Sequence, residues 1–209
     1  MKEVFAVLKE MIREVVPSIW PLIIFICIIA ITLRVFFLLN HNRKFVLHKE
    51  LFSLVFILYI LCLYYILTDL NYAQGGINLI PFKEILRYSF GSEKFMINVV
   101  GNIVIFVPFG IFASHYLDTK KLSTNVLVAL IVSLCIEVMQ YYLGRTFDID
   151  DIILNIVGSF IGYLLYIATN AIKEKLPKFM KSDAFINFIV IIIIITIILF
   201  SVRPNLLAI

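Results

Sequence analysis

This sequence predicts an all-α, polytopic integral membrane protein of about six transmembrane helices. It adds an N-terminal amphipathic helix and an interfacial or re-entrant helix near 78–90. Three observations carry that prediction. The chain is 62% hydrophobic and 15% charged, whereas soluble domains run near 45–50% apolar and about 25% charged. Its mean hydropathy is +1.04. Its apolar runs reach the roughly 20 residues that a helix needs to cross about 30 Å of hydrocarbon, and they lack the alternation of barrel strands. A water-soluble core of 209 residues could not hide this much apolar surface. The bilayer is therefore the solvent, and backbone groups must be satisfied within helices.

Taken in order, residues 2–16 place Val4, Phe5, Leu8, Met11, Ile12 and Val15 on one broad face, with Lys2, Lys9, Glu10 and Arg13 largely opposite. Such a helix suits the membrane interface. No small-residue cleavage site follows the next apolar run, so a cleaved leader is not expected. Spans are predicted near 17–39, 50–69, 96–117, 123–143, 152–172 and 185–203. They divide into an N-terminal region 1–50, a central membrane domain 51–170, and a basic loop with a terminal anchor over 171–209. Cys27, Cys62 and Cys135 each fall inside a predicted span, and no pair forms CxxC. They are expected to pack as apolar residues, with no disulfide framework, no zinc site and no cofactor.

Six spans leave two sets of loops. One side holds both termini, loop 70–95 and loop 144–151. The other packs Arg43, Lys44, Lys49, Lys120, Lys121 and the lysines of 173–181 into short segments. Short basic loops favour the cytoplasm, which puts both termini and the other loops outside. The net charge of +4 is explained by those loops beside anionic lipid. A nucleic-acid partner is not implied.

Polar residues concentrate on the predicted outer side. In the fourth span Ser133, Glu137, Gln140 and Gly144 share a helix stripe at spacings of four, three and four. Glu137 lies about 9 Å below the outer end at 1.5 Å per residue, so it should face protein or a wet cavity, or act as a hydrogen-bonded tie between helices. In the fifth span Asp148, Asp151, Asn155, Gly158 and Gly162 form a second stripe. Asp148 suits an N-cap and Asp151 the third helical position. Asn155 is too deep for a cap, and the two glycines permit close helix approach. In the third span Asn98 and Asn102 are four apart, and Pro108 near the midplane predicts either a kink or a broken helix. Ahead of it, Asn78 and Pro81 resemble a helix start, while Lys83 and Arg87 form either a solvated face or a lipid-phosphate contact. With Arg145, these residues predict an outward-facing polar pocket within the outer leaflet.

At these residues the sequence resembles the VanZ-like family. The matching stretches are NLIPF at 78–82, GNIVIFVPFG at 101–110, SLCIEVMQ at 133–140 and GRTFDIDDIILNIVGSFIG at 144–162. The family takes its name from a member associated with low-level resistance to teicoplanin, a lipoglycopeptide that binds cell-wall precursors. The resemblance implies a Gram-positive cytoplasmic-membrane protein of the cell envelope. Asn78, Pro81, Asn102, Pro108, Glu137, Gln140, Asp148, Asp151 and Asn155 fall on the family's motif positions, and with Arg145 they are the expected ligand-binding residues of the polar pocket. Expected partners are membrane lipids and a lipid-linked wall precursor or the antibiotic itself. A membrane enzyme using Glu137, Asp148, Asp150 and Asp151 as acid, base or cation ligands is a second reading. No histidine joins these acids and no nucleophile–base arrangement is visible. A small transporter is a third, against which no acid or histidine continues inward from Glu137.

Overall fold

The computed structural model describes the backbone of residues 2–68 and 75–202, and the side chains of residues 20–66 and 75–197. Its long helices are α1 (Lys2–Asn40), α2 (Leu47–Thr68), α5 (Gly101–Tyr116), α6 (Leu122–Tyr142), α7 (Ile149–Lys175) and α8 (Asp183–Val202). Among the described residues, five stretches are long and apolar enough to cross a membrane: Trp20–Asn40, Leu47–Ile66, Glu93–Tyr116, Leu122–Tyr142 and Ile149–Lys175. The sixth predicted span falls on α8, whose described apolar stretch is Asp183–Ile197. The protein is all-α and polytopic.

At the N-terminus the backbone departs from expectation. One uninterrupted helix runs from Lys2 to Asn40 where an interfacial helix and a separate span were predicted. The prolines at 17 and 21 do not break it. The predicted amphipathic face lies outside the described side chains.

The chain forms two compact units. The first comprises Met1–Ile24 with Leu58–Asn170, the second Phe25–Ile57 with Ala171–Ile209. In the first, Leu63, Phe106, Phe109, Ala129 and Ile136 form a buried core, with Tyr59 packed against it. The Tyr59 hydroxyl donates to the Ile105 carbonyl at 3.0 Å. Helices α5 and α7 approach closely because small residues face each other. A Cβ on Gly158 would overlap the Ile103 carbonyl oxygen, one on Gly162 the Val107 carbonyl oxygen, and one on Gly110 the backbone of Ser159. This is the close approach that the GxxxG pattern predicts.

A fully buried polar tie accompanies that contact. Asn125 on α6 donates to the Gly110 carbonyl at 3.1 Å and to Ser114 Oγ at 2.9 Å. It accepts from Ser159 Oγ at 2.9 Å. One amide thus joins α5, α6 and α7. In hydrocarbon its unmet hydrogen bonds would be costly, so the tie specifies helix register as well as adding stability.

Pro108 does not break its helix. Helix α5 is continuous through it, which removes the broken-helix expectation. The irregularity lies earlier. The short helix α4 (Glu93–Phe95) passes into a π-helical turn, Met96–Val100, before α5 begins. Single π turns are often found at functional sites.

In the second unit, Arg34 forms a two-pronged pair with Glu50, at 2.7 and 3.0 Å. Asn187 on α8 accepts from the His48 backbone N–H at 3.0 Å and lies 2.8 Å from His48 Nδ1. Lys49 pairs with Asp183 at 3.2 Å.

Candidate functional site

Two local features, a chain reversal and a strand pairing, gather the polar residues of the first unit. At the end of α6, Gly144 takes φ +90°. The Arg145 N–H bonds the Gln140 carbonyl at 2.9 Å and the Gly144 N–H bonds the Tyr141 carbonyl at 3.0 Å. That pair of bonds is a Schellman motif, in which glycine supplies the left-handed residue at no steric cost. It sets Arg145 beside the last turn of α6. With the Gln140 amide oriented to suit both neighbours, its nitrogen donates to Glu137 Oε1 at 2.9 Å and its oxygen accepts from Arg145 Nη1 at 2.8 Å.

The second is a pair of three-residue parallel strands, β1 (Gly76–Asn78) and β2 (Thr146–Asp148), in the register Gly76 to Thr146 and Asn78 to Asp148. This register sets Asn78 Nδ2 2.9 Å from Asp148 Oδ1. Asp148 also caps α7, because its Oδ1 accepts the Asp150 N–H at 2.9 Å. Its own N–H donates to Glu137 Oε2 at 2.9 Å. Glu137, only 1% exposed, is therefore held by a backbone donor on one oxygen and an amide on the other. Burial pushes the Asp148 carboxyl above the usual carboxylate range.

Asp150 has a different task. Its two oxygens accept three backbone N–H groups, from Phe82, from Glu84 at 2.8 Å and from Ile85 at 3.2 Å. The recipient is a short helix, α3 (Lys83–Arg87), with no cap from its own N-cap side chain. Phe82 sits there at φ +65°, a conformation that costs a bulky residue energy. A carboxylate from another element satisfies the orphan amides of α3 and holds that strained turn.

The predicted re-entrant helix near 78–90 is thus replaced by a strand, a turn and five helical residues. Asn78 does not start a helix; its side chain is committed to Asp148. Pro81 lies in the turn ahead of Phe82. Arg87 pairs with Glu84 at 3.0 Å.

Asn102 Nδ2 donates to Asp151 Oδ1 at 2.6 Å, linking α5 to the first turn of α7. One turn deeper, Asn155 Nδ2 donates to Ser133 Oγ at 2.8 Å. Pro108 lies further along α5, away from these contacts. Between α3, the π turn and the start of α7 opens a cleft of about 240 Å³, whose walls include Glu84, Tyr88, Asn98, Arg145, Asp148 and Asp151. Burial raises the Tyr88 hydroxyl above its ordinary pKa. Among the described residues, no group of three or more His, Cys, Asp or Glu is placed to hold a metal ion.

Residues 51–172 match the VanZ/LLP1 family, and this stretch contains every side chain of the cleft. The chain belongs to that family. Over 139 residues it is 31% identical to Protein VanZ of Enterococcus faecium, a match covering 66% of this chain and 78% of that protein. No solved structure matches. Within this VanZ/LLP1 chain, sequence reasoning left out two features of the matched region. Asp150 enters the sequence reading only as an acid, base or cation ligand, because its actual partners are backbone amides without residue-type signature. Asn125, Ser114 and Ser159 are single polar residues in apolar runs and carry no motif. Spacing could have found two of them: Asn125 lies eight residues before Ser133, and Ser159 four after Asn155, on the same stripes.

Proposed function

We propose that this chain is a non-catalytic, multi-pass envelope protein of the bacterial cytoplasmic membrane, whose cleft opens outward and receives a lipid-linked or lipid-tailed ligand. In that role it lowers cell-surface binding of teicoplanin and confers low-level resistance. The observation that carries this reading is the pairing of a polar cleft with an apolar lip. In the chain segment that supplies Glu84, Ile85 and Tyr88 to the cleft wall, Leu86 and Phe90 are 80% and 93% exposed, and Leu79 and Ile80 are 62% exposed each. A polar recess flanked by unburied apolar side chains suits an amphiphile, with its head in the recess and its chain against the lip and the bilayer. The acids support binding over acid–base chemistry, since Glu137 and Asp150 are engaged by fixed donors through both oxygens. The outward orientation is supported by the short basic loops at the other ends of the spans.

The test is susceptibility to teicoplanin and vancomycin, side by side, in a sensitive Gram-positive host. The host expresses wild type, Glu137→Gln or Asp151→Asn, with membrane levels matched by an epitope tag. Wild type should protect against teicoplanin, and both variants should lose that protection. Equal protection by all three would remove the cleft from the mechanism, and protection by none would remove the resistance role. In the same cells, Thr146→Cys in a cysteine-free background should react with a membrane-impermeant maleimide from outside. Labelling only after lysis would reverse the orientation.

A further inference from the structure

A second pocket, this one basic, lies in the other unit, outside the residues that match the family. It begins with how α1 ends. Asn42 takes φ +47°. The Arg43 N–H bonds the Leu38 carbonyl at 3.0 Å, and the Asn42 N–H bonds the Leu39 carbonyl at 3.4 Å. This is again a Schellman motif, here with asparagine in the left-handed position. It reverses the chain sharply, so that Arg43 and Lys44 fall beside the end of the helix they have just left. Helix α2 returns with Lys49 and Glu50 in its first turn. The result is a pocket of about 600 Å³ with Arg34, Arg43, Lys44 and Lys49 on its walls and Phe37, Leu38 and Val46 among its apolar lining.

Charge in this pocket is lopsided. Four cations face one carboxylate, Glu50, and Arg34 holds both of its oxygens. Lys49 is paired with Asp183. Among the described residues neither Arg43 nor Lys44 has a carboxylate partner. The membrane-facing setting adds to this. Phe37 and Phe45 are 44% and 62% exposed beside the basic groups.

We infer that this pocket binds the phosphate of an anionic phospholipid, with Arg43 and Lys44 supplying the charge and Phe37, Leu38 and Val46 seating the start of the acyl chains. A phosphodiester with hydrocarbon directly attached matches both the cationic wall and the apolar one. Basic pockets between transmembrane helices are recurrent headgroup sites. The bidentate Arg34–Glu50 pair braces the hairpin and leaves the turn cations to the ligand. The site is independent of the cleft and of the resistance reading.

The test titrates phosphatidylglycerol and phosphatidylcholine onto the purified full-length protein in neutral detergent and counts retained lipid by native mass spectrometry. Wild type should retain one phosphatidylglycerol in preference to phosphatidylcholine. Arg43→Gln with Lys44→Gln should weaken that binding about thirtyfold, at about fivefold for each basic group near an anionic headgroup. Arg43→Lys with Lys44→Arg should bind as wild type. Lys173→Gln with Lys175→Gln removes as much charge from outside the pocket and should change nothing. If both neutralised pairs weaken binding equally, diffuse surface charge is responsible and the pocket is refuted. Displacement of the lipid by millimolar glycerol 3-phosphate would assign the pocket to soluble phosphates instead.

Discussion

Replacing Asp150 with alanine is expected to unlatch the segment from Asn78 to Tyr88. The Asp150 carboxylate is 1% exposed and accepts three backbone N–H groups from a stretch more than 60 residues earlier in the chain. A hydrogen bond to a charged group contributes about 1.5–3 kcal/mol. Even allowing for non-additivity, the loss should reach at least about 3 kcal/mol, because the amides of Phe82, Glu84 and Ile85 would be left without their acceptor. The left-handed Phe82, whose own N–H is bonded by Asp150, would then relax. Asp150→Asn should be nearly as damaging: one oxygen remains, but the new NH2 meets backbone donors. Asp151→Ala is the informative contrast, for it loses a single amide bond from Asn102. Hydrogen exchange of the 78–90 peptides should accelerate strongly in Asp150→Ala and little in Asp151→Ala. Unchanged protection in Asp150→Ala would show that the turn is held by other contacts.

The consequence for the cleft follows from which residues form its walls. Glu84, Ile85 and Tyr88 belong to the latched segment, whereas Arg145 and Asp148 belong to the α6–α7 connection and Asp151 to the first turn of α7. Asp150 therefore governs the shape of the recess without presenting a free oxygen to it. Loss of teicoplanin protection in Asp150→Ala would report a collapsed wall. The same loss in Asp151→Asn, which keeps its Asn102 contact through Oδ1, would report the missing carboxyl group.

What could be read in advance was what repeats along a helix. Ser133, Glu137 and Gln140 fall on one stripe, as do Asp148, Asp151 and Asn155, and the structure sets those stripes face to face through Glu137 with Asp148 and Ser133 with Asn155. Span positions were legible for the same reason: hydrophobic runs of bilayer length have few alternatives in lipid. The connection between spans was not. Strands β1 and β2 are three residues each, below any periodicity signal, yet they set the register of Asn78 on Asp148. The π turn at Met96–Val100 depends on one extra residue per turn, which leaves no compositional trace. Asp150 was visible as an acid, but backbone amides as partners could not be foreseen from residue types. Asp148 differed because a carboxylate just before an apolar helical run has a known local task.

The largest effect on the fold is expected at Gly158. Lipid tails are as apolar as the helices, so association within the bilayer rests on packing and on buried hydrogen bonds. Helices α5 and α7 meet where Gly158 faces the Ile103 carbonyl and the Phe106 side chain, with Gly162 and Gly110 interlocked one turn further on. A methyl group at Gly158 must displace a backbone oxygen, which has no rotamer to yield with. Overpacking typically costs about 1–3 kcal/mol, and Gly158→Leu should exceed that range because two helices must separate. Separation by an ångström or so would break the short Asn102–Asp151 bond and strain the Asn125 tie to Gly110. The site and the core should therefore fail together. Gly76→Ala is the control, since a Cβ there meets Thr146 at an ordinary 3.7 Å. In detergent, Gly158→Leu should lose the monodisperse species on size-exclusion chromatography, Gly158→Ala should survive with a lowered Tm, and Gly76→Ala should match wild type. A monodisperse Gly158→Leu with an unchanged Tm would mean that α5 and α7 do not pack through these glycines, and the alignment of Asn102 with Asp151 would need another cause.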